Sequence, residues 1–123
     1  MMVALKLTYA ANLLVAGWIG IYSLFLPKAA IITVFSNAYE PTEVVRLVGC
    51  LWLAIALLSA FGLWKPMIFS PVLFIQLIYK GGWLLFVATP AIVKGESFPR
   101  GMAVFFVIWV AVLPFVIPWK DWF

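Results

Sequence analysis

Four apolar stretches, separated by short segments that hold most of the charge, set the pattern of the chain. The first runs from Leu7 to Leu26, about 20 residues, enough to cross a hydrocarbon core at about 1.5 Å per residue. The second runs from about Pro41 to Trp64, the third from Pro66 to Thr89, and the fourth from Gly101 to about Pro118. The pattern predicts an all-α chain: an integral membrane antiparallel four-helix bundle, one domain over residues 1–123. A cleaved signal peptide is the rival reading of the first stretch, but the apolar run is long and three more follow, which favours a retained span.

Punctuation residues place the connections. Pro27 closes the first helix, and the segment from Lys28 to Glu40, with Ile31, Ile32, Val34 and Phe35, is too short to cross. It predicts a short element lying in the membrane interface. Asn37, Glu40 and Pro41 read as a helix entry that puts Glu43 in the first turn, where the helix dipole favours a carboxylate. Trp64-Lys65-Pro66 is a tight connection, so the second and third helices are predicted to be antiparallel neighbours, the third starting at Pro66 or at Ser70-Pro71. Pro90 to Arg100 reads as a loop, Pro114 as a kink, and Trp119, Lys120, Trp122 and Phe123 as an interfacial anchor. Asn12, Ala16, Gly20 and Ser23 recur at helical spacing and form a small-residue seam, and in the second helix Ala56, Ser59, Ala60 and Gly62 offer small residues for close contact. Gly81-Gly82 allows a bend or a close helix crossing.

Composition supports a lipid-solvated chain. Of 123 residues 67% are hydrophobic and 10% charged, with a mean hydropathy of +1.20, whereas soluble domains carry about 25% charge. The net charge of +4 comes from singly placed cations, which argues against nucleic-acid binding and for anchoring beside anionic headgroups. With one cysteine and no histidine, the chain offers no CxxC redox pair, no haem axial histidine and no His/Cys metal site. No cofactor is expected. Cys50 reads as a small buried packing residue. Lys6, Lys65 and Lys120 balance Lys28, Lys94 and Arg100 across the membrane, and the acidic residues accompanying the second set favour cytoplasmic termini.

Lys80 is the informative residue, since an ammonium at membrane depth costs roughly 2.5–3.5 kcal/mol. Gln76, Tyr79, Lys80 and Trp83 fall at i, i+3, i+4 and i+7, one helix face, which should point into the bundle. The plainer alternative is that Lys80 snorkels to the nearer headgroups. Glu43 and Arg46 lie one turn apart near the start of the second helix and are suited to a local ion pair. An antiparallel arrangement brings the two sets together as a polar pocket between the first three helices. Glu43, Arg46, Gln76, Tyr79, Lys80 and Trp83 are then the candidate ligand-binding residues, with Tyr22 and Ser23 at the edge, for an anionic or carbonyl-bearing amphiphile such as a lipid or quinone-like molecule. Nothing sets a nucleophile beside a base, so the reading favours a non-catalytic subunit or binding module, with a membrane-protein partner or a second copy of itself. A membrane enzyme using Glu43, Tyr79 and Lys80 and a small transporter are the alternatives. The same polar residues can also neutralise one another and fix helix register without binding anything.

The four-span layout, the Pro-closed first helix and the stretch Gln76-Leu-Ile-Tyr79-Lys80-x-x-Trp83 resemble the DoxX-like group of small bacterial membrane proteins. That resemblance implies a multi-pass protein of the bacterial inner membrane and a redox role that belongs to a partner. Small multidrug transporters are similar in size, but their first-span glutamate has no counterpart here.

Overall fold

The computed structural model describes residues 2–35 and 43–122. The described residues form helices: α1 (Met2–Phe25), α2 (Pro27–Thr33), α3 (Glu43–Trp64), α4 (Pro71–Trp83), a π turn (Leu84–Ala88), α5 (Thr89–Lys94), α6 (Arg100–Val116) and α7 (Trp119–Trp122). Three runs are long and apolar enough to cross a membrane: Met2–Phe25, Glu43–Trp64 and Pro71–Lys94, the last joining α4, the π turn and α5. At 17 residues α6 lies at the short end of the spanning range of about 17–25. The anticipated helix entry at Asn37, Glu40 and Pro41 lies outside the described residues; Glu43 does stand in the first turn of α3.

Helix α1 packs along α3, and the small-residue seam is the reason. Leu5, Thr8, Tyr9, Asn12, Ala16, Gly20 and Ser23 are the buried residues of α1, and Val45, Gly49, Trp52, Ile55, Ala56, Ser59 and Gly62 those of α3. A Cβ built on Gly49 would stand 2.6 Å from Leu24 N and 2.9 Å from Gly20 O, and one on Gly62 2.6 Å from the Tyr9 ring. Gly20 meets Gly49 and Leu53 while Gly17 meets Ala56 and Tyr9 meets Gly62, so the pair is antiparallel. The Tyr9 hydroxyl donates to Pro66 O at 2.6 Å and ties the start of α1 to the turn after α3.

The second pair is α4 with α6. Tyr79 and Trp83 set their ring edges on Phe106 at 6.0 and 5.3 Å between centroids. The chain end folds back on this pair: Phe74 packs edge-on against Trp119 and Trp122 at 5.4 and 5.7 Å. The Trp122 indole donates to Ser70 Oγ at 2.9 Å and the Trp119 indole to Pro114 O at 2.8 Å. The anticipated anchor tryptophans therefore spend their N–H groups inside the molecule; Phe123 lies outside the described residues.

Several expectations are corrected. The helices joined by the turn after Trp64 barely touch; α3 belongs to α1 and α4 to α6. Helix α4 starts at the Ser70-Pro71 alternative, with Ser70 donating back to Met67 O at 2.8 Å rather than capping. Pro90 does not end the helix. The π turn precedes it, with the Thr89 N–H and Thr89 Oγ1 both donating to Leu84 O, and the run continues to Gly95. A wider turn accommodates a proline that lacks an N–H and crowds the carbonyl one turn back. Gly95, at φ 70°, closes α5, and the Glu96 N–H reaches Ala91 O at 2.8 Å. Gly81 and Gly82 lie within α4 with nothing within 4 Å of a Cβ at either position, so no close crossing occurs there. Cys50 is exposed on the outer face of α3 rather than buried.

Candidate functional site

The face of α4 built on Gln76 and Lys80 points into the molecule. Gln76 is 1% and Lys80 5% exposed, which removes the snorkelling alternative. Lys80 Nζ donates to Gln76 Oε1 at 2.9 Å, one turn earlier on the same helix. It also stands 4.7 Å from the Trp109 ring centroid, 5.4 Å from Phe106 and 5.7 Å from Tyr79. A hydrogen bond to a charged donor contributes about 1.5–3 kcal/mol and each cation–π contact about 0.5–2 kcal/mol. These contacts oppose the cost of holding an ammonium at depth without supplying a countercharge.

The Glu43–Arg46 pair lies elsewhere. Arg46 NH1 is 3.3 Å from Glu43 Oε2, with the two side chains 47% and 86% exposed, and Arg46 Nε donates to Leu24 O at 3.1 Å. Leu24 belongs to the last turn of α1, whose carbonyls lack intrahelical donors, and a guanidinium there also suits the helix dipole. The pair thus fastens the end of α1 to the start of α3. The polar partner of Lys80 is Gln76 and not Glu43. Tyr22 packs at a tilt against Trp18, 5.3 Å between centroids, and Ser23 is buried in the α1–α3 seam, so neither edges a pocket.

Two cavities flank the Lys80 face. Between α3 and the α4–α6 pair lies a groove of about 940 Å³, walled by residues that include Phe35, Val45, Val48, Ala54, Leu58, Val72 and Met102, with Trp52, Tyr79, Trp83 and Phe106 at its inner side. Among the described residues no charged side chain lines it. Phe35, arriving after α2, stacks on Trp52 at 5.7 Å. The Trp52 indole N–H donates to Tyr79 Oη at 3.2 Å, so that oxygen is already an acceptor while its own O–H has no acceptor among the described residues. Behind this wall lies a second, small cell of about 20 Å³, bounded by Asn12, Val15, Ala16 and Ile19 of α1, by Tyr79 and Lys80, and by Phe105, Phe106 and Trp109. Trp52, Tyr79 and Phe106 border both spaces and separate them.

No known protein family, curated protein or solved structure matches the chain. The site is therefore read from its own geometry. Of the six residues singled out by sequence, Tyr79 and Trp83 line the groove, Gln76 and Lys80 sit in the interior behind it, and Glu43 and Arg46 lie at the exposed end of α3. Sequence reasoning missed Trp52, Phe106, Trp109 and Asn12. Asn12 was visible as a polar residue in a small-residue seam; the three rings are indistinguishable by sequence from the many other aromatics in apolar stretches.

Proposed function

We propose that this is a multi-pass integral membrane protein of four spans, α6 being the fourth. It acts as a non-catalytic binding module that holds a neutral, carbonyl-bearing amphiphile in the groove between α3 and the α4–α6 pair. The observation that carries the reading is the Tyr79 hydroxyl at the groove wall. Its oxygen accepts from Trp52, which leaves its proton directed to an acceptor, and a ligand carbonyl is such an acceptor. The apolar walls suit a hydrocarbon chain, and Phe35, Trp52 and Trp83 provide flat surfaces beside the hydroxyl. The uncharged lining favours a lipid or quinone-like carbonyl over a phosphate head, in place of the anionic alternative that needed Arg46 and Lys80 as donors. Membrane lipid, a membrane-protein partner or a second copy of the chain, and residence in a bacterial inner membrane belong to this proposal, as does the resemblance to the DoxX-like group.

Native mass spectrometry of the detergent-released protein tests it. The wild type is expected to carry a neutral amphiphile. Ala54→Trp, which fills the groove, is expected to lose it, and Tyr79→Phe to hold it about tenfold more weakly, the equivalent of one hydrogen bond. A wild type without adduct, or an Ala54→Trp protein that keeps it, contradicts the proposal.

A further inference from the structure

The small cell beside Lys80 shares Trp52, Tyr79 and Phe106 with the groove but adds Lys80 and Asn12, which the groove lacks. Lys80 lines the cell, and its Nζ spends one hydrogen bond on Gln76 Oε1. Gln76 and the three rings stabilise the ammonium without neutralising it. Among the described residues the acidic side chains, Glu43, Glu96 and Asp121, are all exposed, and none is paired with Lys80. Asn12, 1% exposed, lines the same cell, and its Nδ2 is buried with no hydrogen-bond partner. Lys80 and Asn12 thus line one space, and each carries a donor group with capacity for a further acceptor. Buried donors left without one cost about 1–3 kcal/mol each, more when charged. At about 20 Å³, the space suits a single atom-sized guest, since roughly 10–15 Å³ of such volume takes one water.

We propose that this cell is a binding site for one small monatomic anion of the halide class, held by Lys80 Nζ and the Asn12 amide. A halide accepts from both donors and cancels the charge; a water accepts from both and leaves the charge uncancelled. A carboxylate or phosphate group is too large for the space. The flanking Val15, Ala16 and Ile19 are apolar, and Tyr79, which also lines the cell, has its oxygen accepting from Trp52.

The experiment uses the full chain in lipid nanodiscs. Thermal midpoints are measured in sodium bromide against sodium gluconate at equal ionic strength, gluconate being too bulky to enter. The wild type is expected to gain a saturable rise with bromide, Lys80→Met to lose it, and Asn12→Leu to need about tenfold more bromide, the equivalent of one charge-assisted hydrogen bond. Anomalous scattering from bromide-soaked wild-type crystals keeps the proposal falsifiable if a variant fails to fold: a bromide peak within hydrogen-bond distance of Lys80 Nζ is expected. A water there with no anomalous signal, or an equal bromide response in Lys80→Met, overturns it.

Discussion

At the scale of single residues, glycines that look alike in sequence have opposite roles. Backbone atoms of α1 stand 2.6–2.9 Å from where a methyl carbon on Gly49 would lie, contacts that no side-chain rotation relieves, whereas Gly81 and Gly82 have open space around theirs. Gly49→Ala is expected to lower the thermal midpoint sharply by forcing α1 from α3. Gly81→Ala and Gly82→Ala are expected to leave stability unchanged or raise it by about 0.4–1 kcal/mol, through the unfolded chain and helix propensity. Lys80 and Gln76 form a second residue-scale case. Gln76→Leu removes the polar acceptor of a buried cation and is expected to cost about 2–3 kcal/mol. The double variant Gln76→Leu/Lys80→Met is expected to recover most of that loss, because a buried charge and its partner replaced together by apolar groups is often neutral. A double-mutant cycle by denaturation in detergent reads the difference. The inward face of α4 was legible from spacing alone; its partner was not, because Glu43 is a more obvious counter-charge on paper than a glutamine one turn away.

At the scale of elements, the helical run Pro71–Lys94 is the instructive one. A proline twenty residues into an apolar stretch reads as a terminator, and Pro90 would be one if the helix kept its regular hydrogen bonds. The π turn over Leu84–Ala88 lets the run continue, and places Ala88 and Ala91 against Phe98 in a small separate cluster. Pro90→Ala restores the missing N–H, so the turn is expected to revert to regular α-helix and rotate Ala91 away from Phe98. Backbone amide chemical shifts over 84–91 report it, and an unchanged π turn in the variant contradicts the assignment to proline. Helix α7 is legible only in part. Its tryptophans mark an amphipathic end of the chain, yet no sequence rule states that Trp122 reaches Ser70, fifty-two positions away.

At the scale of the molecule, each long helix buries a seam and leaves a broad apolar face outside. Leu14, Trp18 and Phe25 on α1, Leu47 and Leu57 on α3, and Ile78 and Phe86 beyond Pro71 are all exposed. Hydrocarbon is the solvent that suits such a surface. Cys50 lies on that outer face, so a membrane-impermeant maleimide is expected to leave it unlabelled in intact vesicles and to label it after denaturation. The three long apolar helices and the α1 seam follow from hydropathy and small-residue spacing. The pairing of α1 with α3 and α4 with α6 does not, because it rests on glycine-to-backbone fit at Gly20 and Gly49 and on ring contacts around Phe106, neither of which differs in pattern from its neighbours.

Ligand binding as proposed requires α3 and α4 to stand apart and leave an apolar groove. Pulsed electron–electron resonance in bilayers, with spin labels at Leu57→Cys and Ile78→Cys in a Cys50→Ser background, measures that separation on positions outside the groove lining. A single distance distribution matching the separated helices is expected. A distribution shortened to that of helices in direct contact, with axes about 8–10 Å apart, would mean that the groove is closed in the membrane and would contradict the proposed binding.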